Sequence, residues 1–344
     1  MLEVDSKKLN LGGWMLNINS KLNIGNFVLK NRVVVPPMAS QTAELDGRIT
    51  PKTIEHYTKL ASSNASMIMV EYTYVHQSGK SEMNQLGISS DFHINGLKKL
   101  ARRIKKYGAV AAIQLTHAGG KSSKDTTGDR LISPSGISVP VKGSQLEVPS
   151  VANEEDVQLL KQSFLSAAKR AYAAEFDVVE LHSAHGYGLN QWISPITNQR
   201  SDYYGGTVEN RFRLLLEIVN LIKKELPSLA LSVRIPGMDH LEGGLTIEHS
   251  VKLAVLLENA GVRIINVSSG IGGWKRPSSR YGEGYLVADA ATIQAKVKIP
   301  VIGVGAIQTA TYINNSLLTN QFSLAAVGRA ILSCPKWGVK VGLQ

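Results

Sequence analysis

The 344-residue sequence contains a single cysteine, Cys334. One thiol excludes an internal disulfide and any iron–sulfur cluster that is ligated only by cysteines of this chain. The sequence also lacks an uninterrupted apolar run of about 18 residues, which a membrane-spanning helix requires. Residues 1–20 lack a continuous apolar core and a small-residue cleavage site, so we expect no signal peptide. These absences predict a cytoplasmic protein without a membrane partner.

Acidic residues are fewer than basic ones, at 27 Asp and Glu against 38 Lys and Arg, which gives a formal charge of +11. Aromatic residues make up 6% of the chain. Many basic residues fall at helix-like spacing, as in the pairs at 98–99 and 102–103, and they are not concentrated around stacking aromatics. A nucleic-acid-binding surface would require that concentration or a known binding module. We therefore predict no nucleic-acid partner, and we expect the excess charge to aid solubility and to attract phosphorylated ligands.

Short apolar segments alternate with helical patterns along the chain. The apolar segments predict eight strands, at residues 33–35, 67–70, 110–115, 178–181, 230–235, 264–267, 301–304 and 324–327. Each is followed by a helical pattern, such as the one that begins with a cap at Asn153 and an acidic first turn at Asp156. Eight such units predict an α/β fold, a single (β/α)8 TIM barrel with an N-terminal hairpin at 22–30 and loop insertions. We expect residues 1–20 to form an extension and residues 21–344 to form the barrel.

The densest group of reactive side chains comes directly after the fourth predicted strand. His182, His185 and Tyr187 occur within six residues, and Gly186 and Gly188 flank the tyrosine. Two imidazoles can hold a partly negative oxygen by hydrogen bonds, and a nearby phenol can supply a proton. The pattern predicts a site that polarises a carbonyl group and protonates a carbon atom.

The two histidines are also compatible with a zinc site. A third ligand would have to come from Glu180, Asp239 or His240, and none of these stands at a clear ligand spacing. We therefore expect no metal.

Glycine-rich turns follow the last two predicted strands. Gly305 and Ala306 end the seventh, and Gly328 and Arg329 end the eighth. In a TIM barrel, the turns after these strands often bind phosphate through backbone N–H groups. The pattern predicts a phosphate site; the alternative is that the glycines only relieve packing at the barrel rim.

Six motifs, taken in order, resemble the Old Yellow Enzyme family of flavin-dependent ene-reductases. They are KNRVVVPPM at 30–38, IQLTHAGGK at 113–121, HSAHGY at 182–187, NQRSDYYGGTVENR at 198–211, SSG at 268–270 and GR at 328–329. The resemblance extends over about residues 22–335. It implies a barrel that binds FMN noncovalently and uses NADH or NADPH as reductant.

The resemblance also implies roles for individual residues. The expected cofactor-binding residues are Pro37, Met38, Ala39 and Tyr72 along the flavin ring, Gln114 at its pyrimidine edge, Arg234 beside N1 and O2, Ser269 and Gly270 after strand six, and Gly305, Ala306, Gly328 and Arg329 at the phosphate. His182 and His185 would hold the carbonyl oxygen of the substrate, with Gln41 facing it. Tyr187 would donate a proton to the α-carbon.

The activity implied by the resemblance is the reduction of an activated C=C bond of an α,β-unsaturated carbonyl compound in a ping-pong cycle, by a homodimer or homotetramer. Ala39 departs from the cysteine or threonine of the family, and Tyr72 stands where a small residue is usual. These departures suggest one alternative, a degenerate flavin-binding barrel without enone turnover. A second alternative among flavin barrels is an amine dehydrogenase or demethylase. The aromatic and basic segment 272–284 is expected to be either a lid over the barrel mouth or a solvated loop.

Overall fold

A computed structural model describes residues 16–141 and 146–344 of the chain. A short antiparallel hairpin comes first, formed by β1 (Leu22–Ile24) and β2 (Phe27–Leu29). Its turn passes through Gly25, whose positive φ of 58° is readily adopted by glycine. The hairpin predicted at 22–30 is therefore confirmed.

Eight parallel strands close into a barrel in the order β3-β4-β5-β8-β9-β10-β11-β12, with β12 pairing back to β3. Their bounds are β3 Val33–Val35, β4 Met67–Tyr74, β5 Val110–Thr116, β8 Val178–His182, β9 Ala230–Pro236, β10 Ile264–Ser268, β11 Val301–Gly303 and β12 Leu324–Ala326. Two further strands, β6 (Ile132–Ser133) and β7 (Ser150–Val151), form a separate small sheet. The predicted TIM barrel is confirmed.

Helices lie between the barrel strands and cover the outside of the barrel. In the described ranges they are α1 Pro51–Ala61, α2 Ile94–Lys105, α3 Lys124–Thr127, α4 Glu154–Ala173, α5 Gly188–Ile193, α6 Val208–Glu225, α7 Ile247–Asn259, α8 Val287–Gln294, α9 Ala310–Leu318, α10 Arg329–Ser333 and α11 Trp337–Lys340. The predicted start of α4 is confirmed, because Asn153 and Asp156 form a reciprocal capping box there. None of the helices in these ranges is long and apolar enough to cross a membrane.

The barrel strands are buried on both faces because their side chains alternate between two apolar clusters. Val33 and Val35 pack outward against the helices, whereas Val34 packs inward with Met67 and Ala112. Polar side chains replace apolar ones higher in the barrel interior. They are Gln114, Glu180, Ser232 and Asn266, all buried. This polar layer forms the floor of the site described below.

The predicted end of the second barrel strand at residue 70 is wrong, because β4 continues to Tyr74. The strand shifts register between Val70 and Thr73, and Tyr74 then exchanges backbone hydrogen bonds with Leu86 and Ile88. A partner from the following loop therefore extends the strand. The extension places two polar side chains, Glu71 and Tyr72, at the carboxyl end of the barrel.

The predicted N-terminal extension is described only from residue 16 onward; residues 1–15 lie outside the described ranges. The part that is described packs on the barrel, since Arg32 N donates to Ile18 O at 2.8 Å and Ile18 N donates to Asn314 Oδ1 at 2.8 Å. Residues 142–145 of the long segment 131–150 also lie outside the described ranges.

Candidate active site

A cavity of about 920 Å³ opens at the carboxyl ends of the barrel strands. Its wall contains most of the residues that the sequence placed at this mouth: Pro37, Met38, Ala39, Tyr72, Gln114, His182, His185, Tyr187, Arg234, Ser268, Gly305, Ala306, Gly328 and Arg329. Because parallel strands all end at the same rim, side chains far apart in sequence meet there. The volume is within the range of small-molecule and cofactor sites.

Three expected site residues do not line the cavity. Gln41 turns aside with a positive φ of 52°, and its Nε2 donates to Glu82 at 2.8 Å. Ser269 uses its hydroxyl to bond Gly273 O at 2.8 Å. Gly270 packs against Asp239, where a Cβ atom would overlap the carboxylate. These residues shape the loops behind the wall, so direct contact with a cavity ligand is not the role that their positions favour.

His182 and His185 form a perpendicular pair with ring centroids 5.0 Å apart. Burial, together with the charge of Arg234, lowers the pKa of both rings well below the ordinary histidine value. The two imidazoles are therefore neutral at neutral pH, and each can offer an N–H to an oxygen. His185 Nε2 lies 2.7 Å from Ser268 Oγ, whereas His182 Nδ1 has no partner within the described ranges.

The backbone at His185 adopts a strained left-handed conformation, with φ at 62°. Its carbonyl accepts a 2.5 Å hydrogen bond from Lys121 Nζ, and its N–H donates to Ser269 O at 3.2 Å. The next N–H, of Gly186, donates to Asn190 Oδ1 at 2.7 Å. These contacts hold a turn that directs the imidazole into the cavity.

Tyr187 is 7% exposed, and its ring lies 4.9 Å from that of His182. Burial raises the pKa of its phenol to about 12, so the hydroxyl keeps its proton at neutral pH. The Lys121 ammonium lies 4.3 Å from the centre of the same ring. Burial lowers the pKa of Lys121 to about 8, against an opposing attraction from Glu82.

The cavity floor combines an arginine with a buried carboxylate. Glu180 accepts hydrogen bonds from Gln114 Nε2 at 2.8 Å, from Ser232 Oγ at 2.9 Å and from Asn266 Nδ2. Burial raises the pKa of Glu180, and the positive charge of Arg234 opposes that shift. Arg234 lies on β9 and donates to Ser268 Oγ at 3.2 Å. The floor therefore presents a buried positive group above a hydrogen-bonded carboxylate.

The far end of the cavity is formed by the turns after β11 and β12. Gly305 has a φ of 124°, and a Cβ there would lie 2.8 Å from Leu286 N. At Gly328, a Cβ would lie 3.1 Å from Met38 Sδ and from Pro36 Cγ. Arg329 follows and is exposed at the cavity wall. These distances show that packing leaves little room for a side chain at either glycine, and Arg329 adds a positive charge that suits an anionic group.

The FMN implied by the resemblance fits this donor set. In the described part of the chain, Gln114 Oε1 and Arg234 Nε are buried without a hydrogen-bond partner. Unsatisfied buried polar atoms are rare and call for a ligand or water. Gln114 offers an acceptor to a ring N–H, Arg234 offers a donor to a ring oxygen or nitrogen, and the glycine turns offer a place for a phosphate. The site therefore has polar groups for both ends of the cofactor.

Sequence reasoning missed several residues of the wall. Glu82 lies in the loop after β4 and accepts a 2.7 Å hydrogen bond from the Tyr72 hydroxyl. Tyr285 and Leu286, directly after the 272–284 segment, also line the cavity. Trp274 and Arg276, from the segment that the sequence placed at the barrel mouth, line it as well. No periodicity or motif marks Glu82. Only the tertiary path of its loop brings it to the site.

A cluster of acids and histidines suited to a metal is not present among residues 16–141 and 146–344. Glu180, which was a conceivable third ligand, is bonded to Gln114, Ser232 and Asn266 below the histidines. Asp239 is likewise occupied, because its carboxylate accepts hydrogen bonds from Ser194 Oγ, Leu245 N and Ile271 N.

Comparisons with known proteins agree with this geometry. Residues 20–344 match the model of the NADH:flavin oxidoreductase / NADH oxidase family. An NADPH dehydrogenase of Bacillus licheniformis is 37% identical over 311 residues, which cover 90% of this chain and 89% of that protein. An NADH oxidase of Thermoanaerobacter brockii is 35% identical over 331 residues, and this chain matches 50% of its length.

The fold is also that of a solved old yellow enzyme homologue from Zymomonas mobilis. The two share 22% identity with a TM-score of 0.81, covering 94% of this chain and 92% of that one. The family match, the close relatives and the barrel together lead to one conclusion: this chain belongs to the NADH:flavin oxidoreductase family, that of Old Yellow Enzyme, and is an FMN-dependent NAD(P)H oxidoreductase.

Proposed function

We propose that this protein reduces the activated C=C bond of α,β-unsaturated carbonyl compounds with electrons from NADH or NADPH. The observation that supports this most directly is the arrangement of two neutral imidazoles and a protonated phenol on one cavity wall. Neutral N–H donors stabilise a developing oxyanion, and a high-pKa phenol delivers a proton to carbon. Both groups are required when a hydride adds to an enone.

FMN, when bound, supplies the hydride transfer between the nicotinamide and the alkene. His182 and His185 hold the carbonyl oxygen and stabilise the negative charge that grows on it. Tyr187 gives its proton to the α-carbon, the atom next to that carbonyl. Arg234 contributes a buried positive charge at the floor, where negative charge on the cofactor is stabilised. The reductant and the alkene would use this same cavity in turn, which favours a ping-pong cycle.

The experiment that tests the proposal is anaerobic spectroscopy of the purified FMN-loaded protein, first with NADPH and then with cyclohexenone. We expect the visible flavin bands to bleach and then to return. Bands that bleach with NADPH but do not return with cyclohexenone would support an NADPH-dependent oxidoreductase and contradict the proposed substrate class.

Tyr187→Phe refines the same experiment. We expect reoxidation by cyclohexenone to slow by about 10² or more, because the proton donor is lost, while reduction by NADPH changes by less than about twofold. An equal loss in both half-reactions would argue against proton donation by Tyr187.

A second candidate function is the oxidation of an amine. Glu82 places a carboxylate in the cavity wall, and the rings of Tyr72 and Tyr187 lie 5.2 Å apart beside it. A carboxylate with aromatic faces suits a substituted ammonium ion. Bleaching of the flavin by an amine such as trimethylamine, without NADPH, would favour this function over alkene reduction.

A further inference from the structure

Tyr187 lies in a part of the cavity wall that bulk water does not freely reach. It is 7% exposed, and its ring centroid lies 4.9 Å from that of His182 and 5.2 Å from that of Tyr72. In the proposed function, each turnover removes the phenol proton and leaves a buried tyrosinate. A new proton has to reach that oxygen before the next alkene can be reduced, so the surroundings of Tyr187 must contain a route for it.

Tyr72 and Glu82 form a continuous chain from Tyr187 toward solvent. The rings of Tyr72 and Tyr187 lie side by side on the cavity wall, with centroids 5.2 Å apart and an interplanar angle of 33°. The Tyr72 hydroxyl donates to Glu82 Oε1 at 2.7 Å. Glu82 is half-buried, and its other carboxylate oxygen accepts from Gln41 Nε2 at 2.8 Å in an exposed contact. The chain thus begins at the buried phenol and ends at an ionisable group that water can reach.

Three other groups face Tyr187, and each is a weaker route for a proton. The Lys121 ammonium lies over the ring face and donates to His185 O at 2.5 Å, so its position serves the turn that carries His185. His182 is neutral and buried. The Ser81 hydroxyl donates to Gln85 Oε1 at 3.2 Å, and serine has no ionisable group at neutral pH, so it could act only through water.

We propose that Tyr72 and Glu82 are relay residues that return a proton from solvent to Tyr187 after each alkene reduction. This inference rests on the proposed function, because it needs Tyr187 to lose a proton in every cycle. It also assigns a use to Tyr72, a tyrosine at a position where the family usually has a small residue.

The relay moves one proton per turnover. The Tyr187 O–H bond breaks as the C–H bond at the α-carbon forms. Glu82 first takes a proton from water, and the Tyr72 hydroxyl turns from Glu82 toward Tyr187. The Tyr72 O–H bond then breaks as a new Tyr187 O–H forms, while the proton on the Glu82 carboxyl passes to the Tyr72 oxygen. Glu82, left as a carboxylate, takes its next proton from water. The two transfers at Tyr72 must be concerted, because burial raises the pKa of Tyr72 and makes a free tyrosinate there costly.

Glu82→Gln tests the relay in the FMN-loaded protein. The amide keeps the size of the side chain but carries no transferable acid. Enzyme reduced with one equivalent of NADPH is mixed with excess cyclohexenone; it is then immediately re-reduced, and its second oxidation is recorded. We expect the first oxidation to stay within about twofold of the parent rate, because Tyr187 starts with its proton. We expect the second to slow by roughly tenfold or more.

The pH profile and chemical rescue separate a relay from a structural role. The defect in the second oxidation should grow as pH rises from about 6 to about 9, because water then supplies protons less readily. A small diffusible acid, such as imidazolium buffer, should restore part of the rate. Loss of packing alone would affect the first and second oxidations equally and would not respond to the added acid.

Two matched variants complete the test. Glu242→Gln removes an exposed carboxylate outside the cavity wall and should leave both oxidations unchanged. Ser81→Ala removes the hydroxyl through which a water could serve Tyr187. A defect in its second oxidation, with a normal second oxidation in Glu82→Gln, would overturn the relay in favour of a water route. In flavin-free protein, Tyr72→Phe should move the ¹³C carboxyl resonance of Glu82, because a hydrogen-bond donor is lost. An unmoved resonance would contradict the Tyr72–Glu82 link.

The outcomes also separate this inference from the proposed function. A parent protein that cyclohexenone does not reoxidise would overturn alkene reduction, and the relay with it. If cyclohexenone reoxidises the parent protein and Glu82→Gln shows the parent rate in both oxidations, the relay is overturned and the proposed function stands.

Discussion

Single side chains in this site owe their chemistry to burial. Histidine in water titrates near neutral pH, whereas His182 and His185 are 2% and 8% exposed, and their pKa values lie well below the ordinary one. The nearby charge of Arg234 adds to that shift. Neutral rings can donate an N–H without bringing a second positive charge into the cavity. The two N–H donors that we propose for the oxyanion are therefore available across the physiological pH range.

A pH-dependence prediction follows for ligands that mimic the polarised carbonyl. The dissociation constant of a simple phenol should change by less than about twofold between pH 5.5 and 7, a window in which an unperturbed histidine would titrate near about 6.5. The pKa of Lys121, about 8, and that of the phenol itself, near about 10, lie above this window. Flavin absorbance changes on phenol binding would measure it. A roughly tenfold change centred near pH 6.5 would show that a histidine is protonated there.

The histidine contact itself has a direct test. His182→Ala should weaken phenol binding by roughly tenfold, the effect of losing one hydrogen bond to a partly charged oxygen. His249→Ala, on the outer helix α7, is a suitable control and should leave phenol affinity unchanged.

At the scale of elements, the ends of the strands decide what the cavity can bind. The continuation of β4 to Tyr74 carries Glu71 and Tyr72 to the rim. Glu71 then accepts from Ser40 N at 2.9 Å and from Ser40 Oγ at 2.5 Å, which fastens the segment after β3 that holds Met38 and Ala39. Strand β4 thus positions the part of the cavity wall that follows its neighbour β3.

The turns after β11 and β12 give a prediction about the two ends of the cofactor. Arg329→Ala should weaken FMN binding by roughly tenfold and leave riboflavin affinity within about twofold, because riboflavin lacks the phosphate that the arginine would meet. Fluorescence quenching of each flavin by the flavin-free protein would measure both constants. Lys336→Ala makes the same change in net charge at an exposed position and should affect neither. If Arg329→Ala weakened the binding of FMN and riboflavin equally, the arginine would not contact the phosphate.

At the scale of the whole molecule, closure of the barrel brings the segment before the first barrel strand into contact with the last barrel strand. Arg32 precedes β3, and its guanidinium donates to Ser20 O and Lys21 O at 2.9 Å and to Ser323 O at 3.2 Å. Ser323 precedes β12, the strand that pairs with β3. Burial lowers the pKa of Arg32 to about 10, so the side chain is still charged at neutral pH. One arginine therefore joins the N-terminal segment to the seam of the barrel.

Arg32→Met should lower the unfolding midpoint by about 5 °C or more. It removes three hydrogen bonds and leaves their carbonyl oxygens unsatisfied, which costs roughly 3 kcal/mol in total. Thermal unfolding followed by circular dichroism, at fixed FMN concentration, would measure the shift. Arg103→Met, at an exposed position on α2, should shift the midpoint by no more than about 1 °C. A similar small shift for Arg32→Met would mean that the seam does not depend on this side chain.

The sequence by itself determined the barrel, the family and most of the cavity wall. Short apolar strands alternating with helical patterns have few arrangements that bury them, and the carboxyl ends of parallel strands meet at one rim. Residues such as Gln114, Arg234 and Gly305 could therefore be placed together from their positions at the ends of predicted strands. Only the tertiary structure decided where β4 ends, that Gln41 turns away from the cavity, and that Glu82 reaches it. These depend on contacts between loops that carry no periodicity. The same holds for the neutral state of the histidines, because the pKa of a side chain follows from the water and charges that the fold leaves around it.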